Sequence, residues 1–371
     1  MPNEKMKVML AFGTRPEAIK MCPLALELKS RPSFEVKIAV SGQHRDMLYG
    51  PMERFGVRAD FDLELMQPGQ NLTSLTSKAL EAYSKLFEEH APRLVLVHGD
   101  TATTFASALA AFYNGIPVGH VEAGLRTWDL SAPFPEEFNR RAVSVVSKVH
   151  FAPTEAARNN LLKENIDASS IHVTGNTVID ALKTTVSKSY SHELLDWAEG
   201  SRLVMLTAHR RENLGNRHEG IFEAIRSVVE EKPNVKLVYP VHLNPMVAGP
   251  AERILSGHSR IKLVEPLDVF DFHNFLSRSY LVLTDSGGIQ EEAPSLGVPV
   301  LVLRDATERP EGIAAGTLKL AGTKKDQVRA AFLELLDNEG IYSAMSKASN
   351  PYGDGKASLR IADIIERTFL Q

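Results

Sequence analysis

Short apolar runs alternate with amphipathic stretches along most of the chain. Met6–Phe12 reads as a buried strand. Gly13-Thr14-Arg15-Pro16-Glu17 then opens a helix, with Pro16 in the favoured first turn and Ala18, Met21, Cys22, Ala25 and Leu28 along one face. Further strands are expected at Phe34–Val40, 94–97, 117–121, 148–152 and 172–174. Helices are expected at Leu72–His90, at an Ala-rich 104–113, and from Pro135 to about Ser147. A polar helical stretch over 178–200 reads as a connection, after which the pattern restarts. Strands at Arg202–Thr207, 235–239, Ile261–Val264, Leu281–Thr284 and 300–303 precede a helix over 325–336 and a last amphipathic helix over 356–369. Strands alternating with helices predict parallel, doubly wound sheets. Two successive Rossmann-like series predict an α/β chain of two domains facing across a cleft. The expected division is 1–178, 179–355, and a C-terminal helix at 356–371 crossing back to the N-terminal domain.

Nearly every polar cluster falls just after a strand, where ligands bind in open α/β sheets. The sharpest case is Asp285-Ser286-Gly287-Gly288, followed by Ile289, Ala293 and Leu296 at helical spacing. This predicts strand, tight turn and helix. Two glycines let backbone N–H groups approach a ligand, and a helix N-terminus attracts anions. Glu292 is placed to accept hydrogen bonds from ribose hydroxyls. The stretch reads as a nucleoside-diphosphate site or as an ordinary βα turn with an acidic helix start. Arg15 and Lys20 can meet a diphosphate from the first series. Neither Gly-x-Gly-x-x-Gly nor Gly-x-x-x-x-Gly-Lys-Ser/Thr is present, so nothing points to a dinucleotide cofactor or a P-loop.

Three carboxylates are candidates for acid–base chemistry. Asp100 and Glu122 end neighbouring strand-like segments, and Glu136 opens a helix. The spacing Glu136–Arg140 and Glu137–Arg141 equally predicts everyday i,i+4 ion pairs. His209, followed by Arg210 and Arg211, ends the first strand of the second series and can bond a leaving phosphate or move a proton. No clustered ligand set argues for a metal.

Composition narrows the class. The 371 residues include 42 basic and 46 acidic side chains, a net charge of −4 with no basic block, so nucleic-acid binding is not indicated. Cys22 is the sole cysteine, which excludes a disulfide framework and fits a reducing, cytosolic setting. No signal-peptide pattern and no membrane-spanning apolar run is read.

Taken together, the chain closely resembles the non-hydrolysing UDP-N-acetylglucosamine 2-epimerases of bacteria. The resemblance rests on Phe12-Gly-Thr-Arg-Pro-Glu-Ala-Ile-Lys20, Gly42-Gln-His-Arg45, His98-Gly-Asp-Thr-Ala-Thr-Thr104, His120-Val-Glu-Ala-Gly-Leu-Arg126, Phe134-Pro-Glu-Glu-Phe-Asn-Arg140 and Thr174-Gly-Asn-Thr-Val-Ile-Asp180. It continues through Thr207-Ala-His-Arg-Arg-Glu-Asn213, Thr284-Asp-Ser-Gly-Gly-Ile-Gln-Glu-Glu292 and Leu303-Arg-Asp-Ala-Thr-Glu-Arg-Pro-Glu311, all in family order. It implies a fold like that of the GT-B glycosyltransferases with UDP in the interdomain cleft. It also implies reversible conversion of UDP-GlcNAc to UDP-ManNAc in a cytosolic homodimer that feeds surface polysaccharide. By position, Asp100, Glu122, Glu136 and His209 match the family's catalytic set. Arg15, Lys20, His209, Ser286, Gly287, Gly288 and Glu292 match its UDP contacts. Gln43, Glu136, Arg210 and His242 match a second UDP-GlcNAc site found in some members, while Asp46 and Gly69 depart from the Gln and Arg expected there. Gly312 also departs from an expected Ala.

Chemistry constrains the route. The C2 proton of UDP-GlcNAc is not α to a carbonyl, so loss of UDP from C1 must acidify it. Elimination to 2-acetamidoglucal, protonation on the other face and return of UDP give the epimer. Two of Asp100, Glu122 and Glu136 are expected to transfer protons and the third to stabilise charge. The scheme requires no metal or redox cofactor. Alternatives are a hydrolysing relative releasing ManNAc and UDP, an epimerase of a modified UDP-GlcNAc, a GT-B glycosyltransferase, and a non-catalytic UDP-sugar-binding module.

Overall fold

β-Branched and apolar runs, too short for helices and bounded by turn residues, form two all-parallel sheets in the computed structural model, which describes residues 5–42, 45–65 and 69–370; the side chains of residues 45–47 and 211 fall outside that description. The chain divides into two compact units, Met1–Ala181 with Tyr352–Gln371, and Leu182–Pro351.

In the first unit, β1 (Met6–Phe12), β2 (Phe34–Val40), β3 (Phe61–Asp62), β4 (Leu94–His98), β5 (Val118–Val121), β6 (Val149–Ala152) and β7 (Ile171–Val173) lie in the order β3-β2-β1-β4-β5-β6-β7. The register pairs Val8 with Val36 on one side of β1 and with Leu94 on the other. Met9, Ala11, Val95, Val97 and Val118 share one apolar cluster with Ala79, Tyr83 and Phe87 of the helix Leu72–His90. The helix Ala357–Phe369 belongs to this unit. Its first N–H groups, at Ala357 and Ser358, donate to the Asp180 carboxylate at 3.1 and 2.8 Å, and Arg31 reaches its Glu366 at 2.9 Å.

In the second unit, β8 (Arg202–Thr207), β9 (Val235–Pro240), β10 (Ile261–Val264), β11 (Leu281–Thr284), β12 (Val300–Val302) and β13 (Leu318–Leu320) lie in the order β10-β9-β8-β11-β12-β13. Alternation sorts the strand side chains onto two faces. Val204, Leu206, Leu281 and Leu283 pack against Phe222, Ile225 and Phe332, whereas Leu203, Met205, Val282 and Val300 pack against Phe275 and Leu276.

Both sheets reverse direction of winding once, between β1 and β4 and between β8 and β11. These are the switch points where the loops leaving adjacent strands part and leave room for a ligand. Strand and helix ends differ from expectation by only one or two residues, as at β6 and β7. The stretch read as a connection holds two helices, Thr177–Thr185 and Glu193–Ala198. The edge strands β3 and β13 were not expected; two and three residues carry no usable periodicity.

Candidate active site

At the first switch point, Gly13 has no room for a side chain: a Cβ would fall 1.9 Å from Ser41 Oγ. Thr14 caps the helix Arg15–Lys29, and half-buried Arg15 stands at its start. One turn on, Lys20 Nζ donates to Glu122 Oε2. The same oxygen accepts from Asn176 Nδ2 at 2.8 Å and lies 3.8 Å from His98 Nε2. Glu122 follows β5 with φ +63°, a left-handed conformation costing a non-glycine residue about 1–3 kcal/mol and characteristic of functional positions. Nearby Gly124 is obligatory, since at φ +92° a Cβ would meet the Ala157 carbonyl at 2.2 Å. Burial works against the charge on Glu122, but the Lys20 ammonium and the hydrogen bond from Asn176 outweigh it and hold the carboxyl well below the ordinary range. His98 is buried and neutral, lowered to about 4 by desolvation against the pull of Glu122.

Asp100 follows β4. Its Oδ2 accepts from Arg140 Nε at 2.8 Å and lies 2.7 Å from Nη2, while its own carbonyl accepts from Asn139 Nδ2 at 2.8 Å. Here burial prevails. Together with the Glu122 and Glu136 charges it raises the Asp100 carboxyl despite Arg140. Glu136 is the first residue of the helix Glu136–Val146 and is half-buried. The everyday ion pairs expected along that helix do not form. Arg140 turns to Asp100 and to Glu137, at 3.1 Å, and Arg141 pairs with Glu164 at 2.9 Å. The reason is Glu137, which is fully buried and accepts the N–H groups of Thr127 and Trp128 at 3.0 Å each. It staples the preceding loop to the helix and draws Arg140 inward. The spacing offered Glu137 only an ion pair with Arg141, because nothing in it distinguishes Glu137 from Glu136.

At the second switch point, Asp285 is the organiser. Fully buried, its carboxylate accepts from His209 N at 3.0 and 3.1 Å, Arg210 N at 2.9 Å and Asn213 Nδ2 at 3.1 Å. Burial opposes its charge, but His218 and these N–H donors prevail and the carboxyl is lowered. His209 thus sits on a turn fixed from β11, its Nδ1 3.7 Å from Asp285 and its ring stacked on His242 at 5.4 Å. Burial, His242 and Arg210 lower its imidazole against Asp285, so it is neutral near neutral pH.

The Ser286–Gly288 turn needs no left-handed backbone. Neither Gly287 nor Gly288 has a positive φ. Gly287 instead makes room for Arg309, whose guanidinium carbon would lie 3.1 Å from a Cβ. Arg309 in turn pairs with buried Glu291 at 2.8 Å. Among the described residues no acceptor takes the Gly287 or Gly288 N–H. Glu292 lies 3.4 Å from His273 Nε2, and His273 Nδ1 bonds Thr185 Oγ1 at 2.7 Å. Of the second-site residues, Arg210 and His242 share the His209 neighbourhood; Gln43 and the Asp46 side chain lie outside the described residues, and Gly69 has φ +73°. Among the described residues, no group of three or more His, Cys, Asp or Glu is arranged to hold a metal, and no helix is long and apolar enough to cross a membrane.

Known proteins match this arrangement along nearly the whole chain. The family described as UDP-N-acetylglucosamine 2-epimerase matches residues 26–366. The UDP-N-acetylglucosamine 2-epimerase of Bacillus subtilis (strain 168) is 56% identical over 360 residues, covering 97% of this chain and 95% of that protein. A crystal structure of UDP-GlcNAc 2-epimerase from Neisseria meningitidis bound to UDP-GlcNAc superposes with a TM-score of 0.90 at 46% identity, covering 98% and 100% of the two chains. The glycotransferase of kitacinnamycin superposes at 0.64 with 13% identity over 98% and 99%, a likeness of fold alone.

Proposed function

The chain belongs to the UDP-N-acetylglucosamine 2-epimerase family, and from that premise we propose that it is an isomerase interconverting UDP-GlcNAc and UDP-ManNAc by eliminating UDP and adding it back. The observation that carries the mechanism is the opposed charge preference of two carboxyls on neighbouring strand ends. Asp100 is raised toward the protonated form and Glu122 is held ionised by Lys20. Environments that push paired carboxyls apart divide acid–base work from electrostatic work. In this reading Glu122 is the fixed anion that stabilises positive charge building at C1 as UDP departs. Asp100 and Glu136 exchange protons at C2 on its two faces. Lys20 serves chiefly to keep Glu122 charged, whereas Arg15 meets the diphosphate.

The second unit is assigned the leaving group. Gly287 and Gly288 offer N–H donors to phosphate and Ser286 its hydroxyl, since the Ser286 N–H is donated to Thr284 Oγ1 at 2.9 Å; neutral His209 donates a hydrogen bond to phosphate, and Glu292 accepts from ribose. The glycine turn rather than the helix behind it does the holding, because that helix, Ile289–Ser295, is only seven residues long with two acidic residues in its first turn. Return of UDP to the glycal makes the enzyme non-hydrolysing. The test is product identity. Incubation with UDP-GlcNAc is expected to yield UDP-ManNAc at equilibrium; free ManNAc with UDP would select the hydrolysing alternative.

The reading extends to a cytosolic homodimer supplying ManNAc units for surface polysaccharide. An apolar face supports the dimer. Phe105 and Phe112 on the helix Ala102–Tyr113, and Phe138 and Val145 on Glu136–Val146, each lie seven residues apart and so share a face. Phe105 and Phe138 meet edge-on at 5.6 Å, joining the two faces, and Val145 is 79% exposed. A Val145→Glu, Phe112→Glu double substitution is expected to halve the mass in sedimentation. An unchanged dimer would place the interface elsewhere.

A further inference from the structure

Glu17 opens as a capping-box residue and then exceeds that role. Its Oε2 accepts the N–H groups of Gly13 and Thr14 at 3.0 and 2.7 Å, the usual reciprocal bond to the cap. Capping-box carboxyls are ordinarily solvated, yet Glu17 is 2% exposed. Its Oε1 crosses to the loop after β4, 2.8 Å from Thr101 Oγ1 and 3.0 Å from Thr104 Oγ1. One side chain therefore joins the two loops of the first switch point, the one bearing Arg15 and the one bearing Asp100.

Counting protons identifies its ionisation state. Thr104 Oγ1 lies 2.6 Å from the His98 carbonyl, which can only accept, so the single Thr104 hydroxyl proton is spent there. Its contact with Glu17 Oε1 then lacks a proton unless Glu17 supplies one. Thr101 Oγ1 accepts the Thr104 N–H at 3.1 Å and has one proton of its own for Oε1. Thr101 Oγ1 and Thr104 Oγ1 also lie 3.0 Å apart, so these oxygens make three contacts; a carboxylate leaves two of them without a proton, whereas a carboxylic acid donating to Thr104 leaves only the one between the hydroxyls. Desolvation acts the same way, raising the carboxyl in spite of the four hydrogen bonds. The titratable or charged groups on the elements around it are Arg15 and Lys20 on its own helix, His98 and Asp100 at the end of β4, and Tyr83 on the helix Leu72–His90.

We propose that Glu17 is held as a neutral carboxylic acid and is a positioning residue for the epimerisation, clipping the Arg15 turn to the Asp100 loop. The proposal rests on the roles assigned above to Arg15 and Asp100. Its test compares Glu17→Gln and Glu17→Ala in the full chain, measuring UDP-GlcNAc epimerisation and thermal midpoint across pH. Glutamine can present its oxygen to the two N–H groups and its NH₂ to the two hydroxyls, with the Thr101 proton turning to Thr104 Oγ1, so it keeps the clip without a charge. Glu17→Gln is expected to keep kcat within about threefold. Glu17→Ala is expected to lose about 100-fold in kcat/KM, the effect of an ångström-scale displacement, and to move the acid limb set by Asp100. A role in stability alone would lower the midpoint without moving that limb. The sign for stability follows from linkage. A carboxyl raised in the folded state contributes stability below its unfolded value, and that contribution is lost as pH rises through the folded value. Wild type is therefore expected to lose stability relative to Glu17→Gln above the ordinary carboxylate range. Parallel midpoint curves, or a Gln variant as impaired as the Ala variant, would overturn the neutral acid. Wild-type kcat/KM and pH profile in Glu17→Ala would overturn the clip. Should wild type leave UDP-GlcNAc unchanged, the functional reading fails, while the midpoint curves still judge the carboxyl.

Discussion

The two switch points are built on the same sheet order, and each is closed by a buried carboxyl that links the loops after its two central strands. In the first unit Glu17 reaches from the helix after β1 to the loop after β4; in the second Asp285 reaches from the loop after β11 back to the turn after β8. Their ionisation is opposite. Asp285 receives backbone and amide N–H donors, which have no other protonation state to offer, so its charge is supported by hydrogen bonds. Glu17 shares its second oxygen with hydroxyls, one of which has already spent its proton, so burial wins. Equal burial thus gives unequal charge, and the donor type decides. Glu122 and Asp100 part for a different reason: each faces a cation, Lys20 or Arg140, but at Asp100 burial and the neighbouring Glu122 and Glu136 charges prevail.

The harshest way to break this division is to remove the charge the first unit protects. Glu122→Gln keeps the shape and is expected to lower kcat about 10²–10³-fold with little change in KM, the scale of a lost electrostatic stabiliser. A variant retaining wild-type kcat would show that the ionised carboxyl is dispensable. Asp285→Ala comes next. It leaves the His209 and Arg210 N–H groups without their buried acceptor, and urea denaturation is expected to show a loss of about 3 kcal/mol. UDP affinity, read by calorimetry, is expected to fall roughly 100-fold as the His209 turn loosens. Asp285→Asn should do nearly as badly, in contrast to Glu17→Gln. If both amides are tolerated equally, the two carboxyls do not differ in charge. The mildest test is Lys20→Met. Without the ammonium, burial raises Glu122 by about 1–3 pH units toward the Asp100 value, and the acid limb of kcat is expected to steepen. The sign is that of a depressed carboxyl: wild type retains the ionised form and its stabilisation until the pH falls through the low folded value, and the variant loses them earlier.

Parallel, doubly wound sheets and the placing of Asp100, Glu122, His209 and Asp285 after strands were legible because apolar runs of four to seven residues end in abrupt polar turns. Side-chain pairing was not. Arg140 has Glu136 and Glu137 within helical reach, and only the fold brings Asp100 closer. The sequence presents Gly287 and Gly288 as letting backbone N–H groups approach a ligand, but nothing in it shows that Arg309 passes over Gly287. Glu17 did carry a signal, the Thr14-x-x-Glu17 capping spacing, but local spacing says nothing of burial against Thr101 and Thr104, more than eighty residues away.

The account stands or falls on whether the proton at C2 leaves the substrate while UDP is held and returned. Incubating the protein with UDP-GlcNAc in D₂O and following C2 by NMR tests this directly. Deuterium at C2 in both UDP-GlcNAc and UDP-ManNAc, with no net release of UDP, is the predicted result. UDP-ManNAc formed with its C2 proton retained, or no change at C2, would contradict it.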